Sequence, residues 1–168
     1  SGLTVDNLTF ASSGGSFTIA NDTLTVTGNL NASGASSFTA GANGRLLFTG
    51  SSAQAFSLPS SAHTIAYLDV NNSAGVTYSG GNLTISDTLA LNDGVLDLGG
   101  TTMRLYQGNT DQGFTKSTED SYVANGYVVK GIQAGDAGSA QRNYVRFPLG
   151  VAGDTLYRPL DFYITSDP

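Results

Sequence analysis

Hydrophobic and polar positions alternate in short strings along the first hundred residues. In Leu3-Thr4-Val5, Phe17-Thr18-Ile19, Leu24-Thr25-Val26 and Leu83-Thr84-Ile85, two apolar residues flank one threonine. Because successive side chains of a strand point to opposite faces, this alternation predicts half-buried β-strands. Clusters of Gly, Asn, Asp or Ser end each string within a few residues, as turns do. The pattern therefore predicts many short strands joined by tight turns.

Two ladders of apolar residues repeat at a longer and nearly constant interval, of roughly 20 residues, which is typical of a repeat architecture. The first ladder runs through Leu3, Leu24, Leu46, Leu68 and Leu89. The second runs through Phe17, Phe38, Leu58, Tyr78 and Leu98. Stacked coils place equivalent residues above one another at about 4.8 Å and bury a continuous apolar column. The spacing predicts an all-β fold, a short right-handed parallel β-helix of about five coils over residues 1–106.

An antiparallel β-sandwich is the alternative for this segment. Sandwiches also contain many short strands, with turn signals at roughly 8–12-residue intervals. They do not require ladders that keep a fixed interval over five cycles. The repeat therefore favours the β-helix.

The pattern changes after Tyr106. Residues 107–121 are polar and typical of a loop. Longer apolar strings follow at Tyr122-Val123, Tyr127 to Lys130, Asn143 to Phe147 and Leu156 to Thr165, with turn signals at Asn125-Gly126 and Gly153-Asp154. Longer apolar strings separated by such turn signals predict antiparallel hairpins. Because the last coil of a β-helix exposes an unpaired edge, we expect residues 107–168 to form an antiparallel β-rich cap or small sandwich against it. A strand pattern that runs almost to Pro168 is typical of a segment cut from a longer protein.

Composition narrows the classes of function. Apolar residues make up 39% of the chain and charged residues only 12%, so Ser, Thr, Asn and Gly must supply the polar surface. The net charge of −6 leaves no basic stripe for nucleic acid or for anionic membranes. There is no cysteine, and no apolar run is long enough to span a bilayer. We expect an extracellular or cell-surface protein with no membrane insertion.

A resemblance to a known group supports this location. The stretch LDVNNSAGVTYSGGNLTISDTLALNDGVLDLGGTTMRLY, from Leu68 to Tyr106, resembles a recurrent segment of large surface and secreted proteins of the Bacteroidota. The region from Gly126 to Phe162, with GYVVK, FPLG and YRPLDF, is similar to the segment that follows it in those proteins. The resemblance implies a β-helix in a multidomain, adhesin-like protein exported by the type IX system. It implies no catalytic residue.

Three Asp-Thr-Leu strings fit the same setting. They resemble the Asp-Ser/Thr-aliphatic site at which these bacteria attach O-glycans, which implies Thr23, Thr88 and Thr155 as acceptors. Asp-Thr before a strand is also ordinary turn chemistry. Both interpretations stay open.

The residues that could carry catalysis or bind metal form no recognised motif. His63 is the only histidine, and we expect it in a polar turn on the surface. Asp93 and Asp97 would share a face if one strand continued between them, as a glycosidase pair would require. Asn92-Asp93-Gly94, and Asp111 with Glu119 and Asp120, lack the pattern of a Ca²⁺ loop. We expect no enzyme activity, no metal and no cofactor.

Two surface patterns could support binding. Outward rows of threonine can order water, but the string Thr23-Leu24-Thr25-Val26-Thr27 is not repeated in the coils of Leu46 and Leu68. Tyrosine and arginine dominate interfaces and stack on sugars. The best binding candidates are therefore Tyr127, Tyr144, Arg146, Tyr157 and Arg158.

The expected function is a non-enzymatic structural or adhesive module of a secreted bacterial surface protein. It would act as a stalk, spacer or surface-binding segment. The expected partners are other domains or subunits of a surface assembly, or an extracellular glycan. A carbohydrate-binding or polysaccharide-cleaving β-helix is the alternative.

Overall fold

The fold is built entirely from β-strands within the described part of the chain. The computed structural model describes residues 2–10, 14–105, 114–116, 118, 120–130, 144–151 and 158–163. These ranges contain seventeen strands, of which fifteen are joined by parallel pairing in two sheets. Successive strands of each sheet belong to successive coils of the chain. The prediction of a parallel β-helix with about five coils is therefore confirmed.

Each complete coil contributes one strand segment to each of three faces. Face I contains β3 (Ser16–Ile19), the first parts of β6 (Ser37–Phe48), β8 (His63–Asn71) and β10 (Leu83–Asp93), β12 (Thr102–Leu105) and β15 (Tyr127–Lys130). Face II contains β1 (Gly2–Val5), β4 (Thr23–Val26), the later parts of β6, β8 and β10, and β13 (Phe114–Lys116). Face III contains β2 (Leu8–Thr9), β5 (Leu30–Asn31), β7 (Gln54–Ser57), β9 (Val76–Ser79), β11 (Val95–Asp97) and β14 (Tyr122–Ala124).

Faces I and II form one continuous hydrogen-bonded sheet with a corner between them. Ile65 and Leu68 are both fully buried although two residues separate them. Because strand side chains alternate, both can point inward only if the strand changes direction between them. The register shifts at the same level, between Ala40 and Arg45 of β6 and between Ile85 and Thr88 of β10. Long strands thus wrap around the corner.

The first predicted ladder is the central column of face II. Direct parallel partners are Leu3 with Leu24, Leu24 with Leu46, Leu46 with Leu68, and Leu68 with Leu89. Phe114 extends the column by one more level as the partner of Leu89. Leu46, Leu68 and Leu89 are fully buried. The prediction of this ladder is confirmed.

The second predicted ladder is wrong in its middle. Phe17 pairs with Phe38 on face I, but Tyr78 lies on face III, where its partner is Phe56 rather than Leu58. The ladder of face III runs from Leu30 through Phe56 to Tyr78. Corners of unequal length cause the error, because β6 uses residues 41–44 where β8 uses only Ala66. A fixed spacing therefore drifts from one face to another.

The parallel stacking continues beyond residue 106. The expected hairpin around Asn125-Gly126 is wrong, because β14 pairs in parallel with β11 and β15 in parallel with β12. Asn125, with φ of 52°, turns the chain from face III to face I instead. The sequence-based boundary at residue 106 thus precedes β14 and β15, which still pair in parallel with the preceding coil.

An antiparallel element does follow the coils. β16 (Tyr144–Phe147) pairs antiparallel with β17 (Leu160–Tyr163). Between them, residues 148–150 lie along β14: the Val123 amide donates to the Pro148 carbonyl at 2.7 Å, and the Gly150 amide to the Val123 carbonyl at 3.0 Å. This segment therefore covers the edge of face III at the last coil.

Candidate functional site

The predicted tyrosine and arginine candidates occupy the C-terminal part of the chain. Tyr127 is 69% exposed on the outward side of β15. The backbones of Tyr144 and Arg146 lie in β16, opposite Tyr163 and Asp161. Arg158 is exposed, and its amide donates to the Leu149 carbonyl at 2.9 Å. Tyr157 lies outside the described residues. Among the described candidates, Tyr127 thus lies on face I, Tyr144 and Arg146 lie in the antiparallel pair, and Arg158 lies just before β17.

A cluster that the sequence did not suggest as a site lies on the outward side of face II. Arg45 forms an ion pair with Asp69, whose side chain is only 6% exposed against 43% for Arg45. The guanidinium carbon of Arg45 lies 5.1 Å from the ring centroid of Tyr67. The Tyr67 hydroxyl donates to Oδ2 of Asp87 at 2.9 Å. Three successive coils are therefore joined by one chain of polar contacts.

The hydrogen bond to Asp87 dominates the electrostatics of Tyr67, while the charge of Arg45 acts against it. Its hydrogen bond to Asp87 raises the pKa of the Tyr67 phenol, and desolvation and the charge of the Asp87 carboxylate act in the same direction. A neutral tyrosine beside a cation is a surface that can contact planar or hydroxylated partners. The sequence signal that could have indicated this cluster is the position of Arg45 and Tyr67 directly before two residues of the leucine column, Leu46 and Leu68.

His63 is not the surface turn residue that the sequence predicts. It begins β8 on an inward position and is only 5% exposed. Its Nε2 lies 3.0 Å from the Pro59 carbonyl oxygen, and its Nδ1 lies 3.4 Å from that of Phe38. The ring therefore ties the corner before β8 to the coil below. Oγ of Ser61 lies 3.3 Å from the same Nε2, so the ring contacts both its own corner and the coil below.

Asp93 and Asp97 do not share a strand. Gly94, with φ of 84°, ends β10 at Asp93, and Asp97 lies in β11 on face III. The Asp97 carboxylate accepts the amide of Gly99 and the side-chain amide of Asn125, both at 2.8 Å. The continuous strand on which a shared face for Asp93 and Asp97 depended is therefore absent. In the part of the chain that the structure describes, no group of three His, Cys, Asp or Glu residues could hold a metal.

Face I carries a threonine row that sequence spacing concealed. Thr18 pairs with Thr39, and Thr64 pairs with Thr84. The pairing of Ala40 with Ile65 brings these two pairs into one line. Thr18, Thr39 and Thr64 are exposed, and Thr84 is half-buried.

The long corner of β6 hid this row from a search at a constant interval. It sets Thr39 and Thr64 further apart in sequence than successive rungs of the leucine column are. On face II, by contrast, Thr23 pairs with Arg45 and Thr25 with Leu47. That row is therefore interrupted, as the sequence indicated.

Two of the three implied glycan acceptors are described. Thr23 lies half-buried within β4, between Gly2 and Arg45 on the neighbouring strands. Thr88 is also half-buried and donates its hydroxyl to Oδ1 of Asp87 at 2.8 Å. Thr155 lies outside the described residues. Both described hydroxyls thus sit within a sheet rather than at a loop tip.

Stacked parallel sheets around one continuous core define the chain as a β-solenoid protein. No protein-family model, curated protein or solved structure matches it. Among the described residues, no helix has the length and apolar character needed to cross a bilayer.

Proposed function

We propose that this β-solenoid is a non-enzymatic structural or adhesive module of a secreted bacterial surface protein. The observation that carries the proposal is the uninterrupted column from Leu3 to Phe114, in which each residue is the direct partner of the next. Such a column makes each coil depend on its neighbours, so a load applied along the rod is transmitted from coil to coil. A stalk or spacer needs this property.

Polar contacts at the corners support the same role. Gln54 is 3% exposed, and its Nε2 donates to the carbonyls of Val26, at 3.0 Å, and Gly28. Its Oε1 accepts the Gly50 amide at 3.0 Å and the Asn72 side-chain amide at 2.8 Å. This single side chain therefore joins three coils. Buried polar groups that are fully hydrogen-bonded fix a unique geometry.

The outward surfaces support the adhesive part of the proposal. The threonine row of face I and the Arg45–Tyr67 contact of face II lie on sheet surfaces, where side chains are held in register. Hydroxyl, phenol and guanidinium groups bind sugars and protein surfaces. An extracellular location fits a chain with 12% charged residues and no cysteine. The proposed partners are other domains of a surface assembly or an extracellular glycan.

The spacer role is tested by stretching single molecules held by their two termini. A solenoid with such coupled coils should resist extension and then lengthen in steps of about one coil, refolding when the force is released. Leu46→Ala should lower the unfolding force, whereas Leu3→Ala, at an exposed position, should leave it nearly unchanged. Extension of the unaltered protein without a measurable force peak would contradict the spacer role.

Glycan binding and cleavage are tested separately. A glycan array should show retention that weakens when Thr39→Val and Thr64→Val are combined, if face I is the adhesive surface. The matched control is Thr77→Val, an exposed threonine on face III. Release of reducing sugar from any bound polysaccharide, abolished by Asp93→Ala or Asp97→Ala, would replace the structural proposal with the enzymatic alternative.

A further inference from the structure

We infer that the open end of the first coil, formed by β1 and β3, is a docking surface for one further coil of a parallel β-solenoid. Leu3 occupies the same column as Leu24 and Leu46, yet it is 57% exposed, whereas Leu24 is 2% exposed and Leu46 is fully buried. A groove of about 600 Å³ opens beside it. The column therefore ends on an apolar surface instead of a polar one.

The groove has the chemistry of a coil–coil interface. Leu3, Phe17, Ile19 and Leu24 contribute its apolar wall, and Asp22 is the charged residue among those that line it. The ring of Phe17 stacks on that of Phe38, with 5.5 Å between centroids. Leu3 and Phe17 are the first members of two inward ladders whose later members are buried. An occupant with an apolar residue above each of them would bury both.

An asparagine contact at the corner between faces II and III adds a second requirement. Oδ1 of Asn7 accepts the backbone amide of Asn29 at 2.8 Å. One coil further on, Oδ1 of Asn29 accepts the backbone amide of Ala55 at 2.7 Å. The first two coils thus each supply an acceptor to the coil that follows. Continued by one level, the same geometry would place a side-chain acceptor above the Asn7 amide, as a further coil in parallel register can do.

The occupant is a coil of a neighbouring solenoid unit rather than the far end of a second copy. At that far end, residues 148–150 already occupy the edge of β14 through backbone hydrogen bonds to Val123. A copy stacked in line would have to displace this segment before its face III could pair. The inference rests on the proposed spacer role, to which it adds end-to-end stacking through the first coil.

Cysteine protection tests the docking directly, because the chain contains no cysteine of its own. Leu3→Cys reports the open end, and Leu24→Cys is the buried control. Residues 1–21 are then duplicated ahead of residue 1 in the full-length chain. This supplies one coil in register, because the same interval separates Leu3 from Leu24 and Phe17 from Phe38. A second extension carries the same residues in scrambled order. Thiol labelling is measured under native conditions, with circular dichroism as the check on folding.

The native-sequence extension should slow labelling of the Leu3→Cys thiol by roughly tenfold or more, the factor that about 1.4 kcal/mol of docking free energy gives. The scrambled extension should leave the labelling rate within about twofold of that of the unextended chain. Equal labelling with both extensions would overturn the inference.

A second outcome would also overturn it. If the Leu3→Cys thiol of the unextended chain were protected in a concentration-dependent way, with a dimer in light scattering, a second copy would be the occupant. Failure of docking would leave the stretching result intact, so the two proposals fail separately.

Discussion

Inward positions of the solenoid admit polar atoms only where a partner is supplied. The Tyr78 ring is fully buried between coils, 5.1 Å from that of Phe56, and its hydroxyl donates to the Gly81 carbonyl at 2.7 Å. Burial raises the pKa of Tyr78 to about 12, because the phenolate would lose its hydration. A buried polar group with a partner costs little, whereas the same group charged and desolvated costs a great deal.

Tyr78 should make stability depend on pH in the alkaline range. Its pKa is about 10 in the unfolded chain and about 12 in the fold, so the folded state holds the proton more tightly. The contribution is complete below pH 10 and is lost as pH rises through 12, at most about 3 kcal/mol for a difference of two pKa units. Urea unfolding at pH 8, 10 and 11.5 should show a steeper decline for the unaltered protein than for Tyr78→Phe. The matched control is Tyr127→Phe, which removes the hydroxyl of an exposed tyrosine on β15.

The stability lost on replacing a leucine of the column by alanine should depend strongly on the coil to which that leucine belongs. Leu46 is fully buried between Leu24 and Leu68, so Leu46→Ala should lower the free energy of unfolding by about 2–5 kcal/mol through lost transfer energy and a cavity. Leu3, more than half exposed at the open end, should lose less than about 1 kcal/mol on the same change. Chemical denaturation of both variants measures the difference. Equal losses would contradict the column as the main source of stability.

At the scale of the element, contacts at the corners fix the strand register that short strands alone specify only weakly. Gln54 and Asn72 occupy the corner between faces II and III, where the side-chain amide of Asn72 also donates to the Ser52 carbonyl at 2.8 Å. In the next coil the corresponding turn uses Gly94, where a Cβ would lie 1.9 Å from the Asn72 carbonyl oxygen. Side-chain hydrogen bonds and a close backbone approach at the corners thus hold the short strands of face III in register.

Replacing the buried Gln54 with leucine should destabilise the fold, even though leucine is the more apolar side chain. Gln54→Leu keeps a similar volume but removes the partner of the Gly28 carbonyl and of the Gly50 amide and one partner of the Asn72 side-chain amide, while the Val26 carbonyl keeps the Thr49 amide. Unsatisfied buried groups cost about 1–3 kcal/mol each before water enters, so a loss of about 2–4 kcal/mol is expected. Thermal and urea unfolding give the value. The control is Ser57→Ala on the same strand, which removes a half-exposed hydroxyl contact to Ser79 and should cost less than about 1 kcal/mol.

At the scale of the whole molecule, sequence spacing predicted the ladder whose residues are evenly spaced and missed the ladder whose residues are not. The column of face II was predictable because a nearly constant interval separates each leucine from the next, from Leu3 to Leu89. The ladder of face III was not, because the long corner of β6 lies between Leu30 and Phe56 and lengthens that coil. The turn at Asn125-Gly126 misled for a different reason: a residue with positive φ suits a hairpin and a solenoid corner equally well.

The residues of the candidate site were missed for a similar reason, because their contacts join different coils. Arg45, Tyr67 and Asp87 come together only through the register of three coils. The sequence marks only Arg45 and Tyr67, by their place directly before residues of the leucine column. His63 looked exposed because Ser60 and Ser61 precede it, yet strand parity turns its ring inward. Local composition therefore predicted strands and turns, while inter-coil contacts needed the corner lengths.

A solenoid held by nearest-neighbour contacts should open from its ends rather than all at once. Central strands β6 and β8 have a coil on either side, whereas β1 and β3 are open on one side. Hydrogen exchange followed by mass spectrometry should therefore find the slowest amides in residues 45–48 and 67–70 and faster exchange in residues 2–5 and 16–19. Leu68→Ala should speed exchange most in its own coil and the two beside it, whereas Leu3→Ala should affect only the first coil. Because a globally cooperative domain exchanges its core amides at one common free energy, a uniform rate across all coils in the unaltered protein would contradict independent opening of the ends.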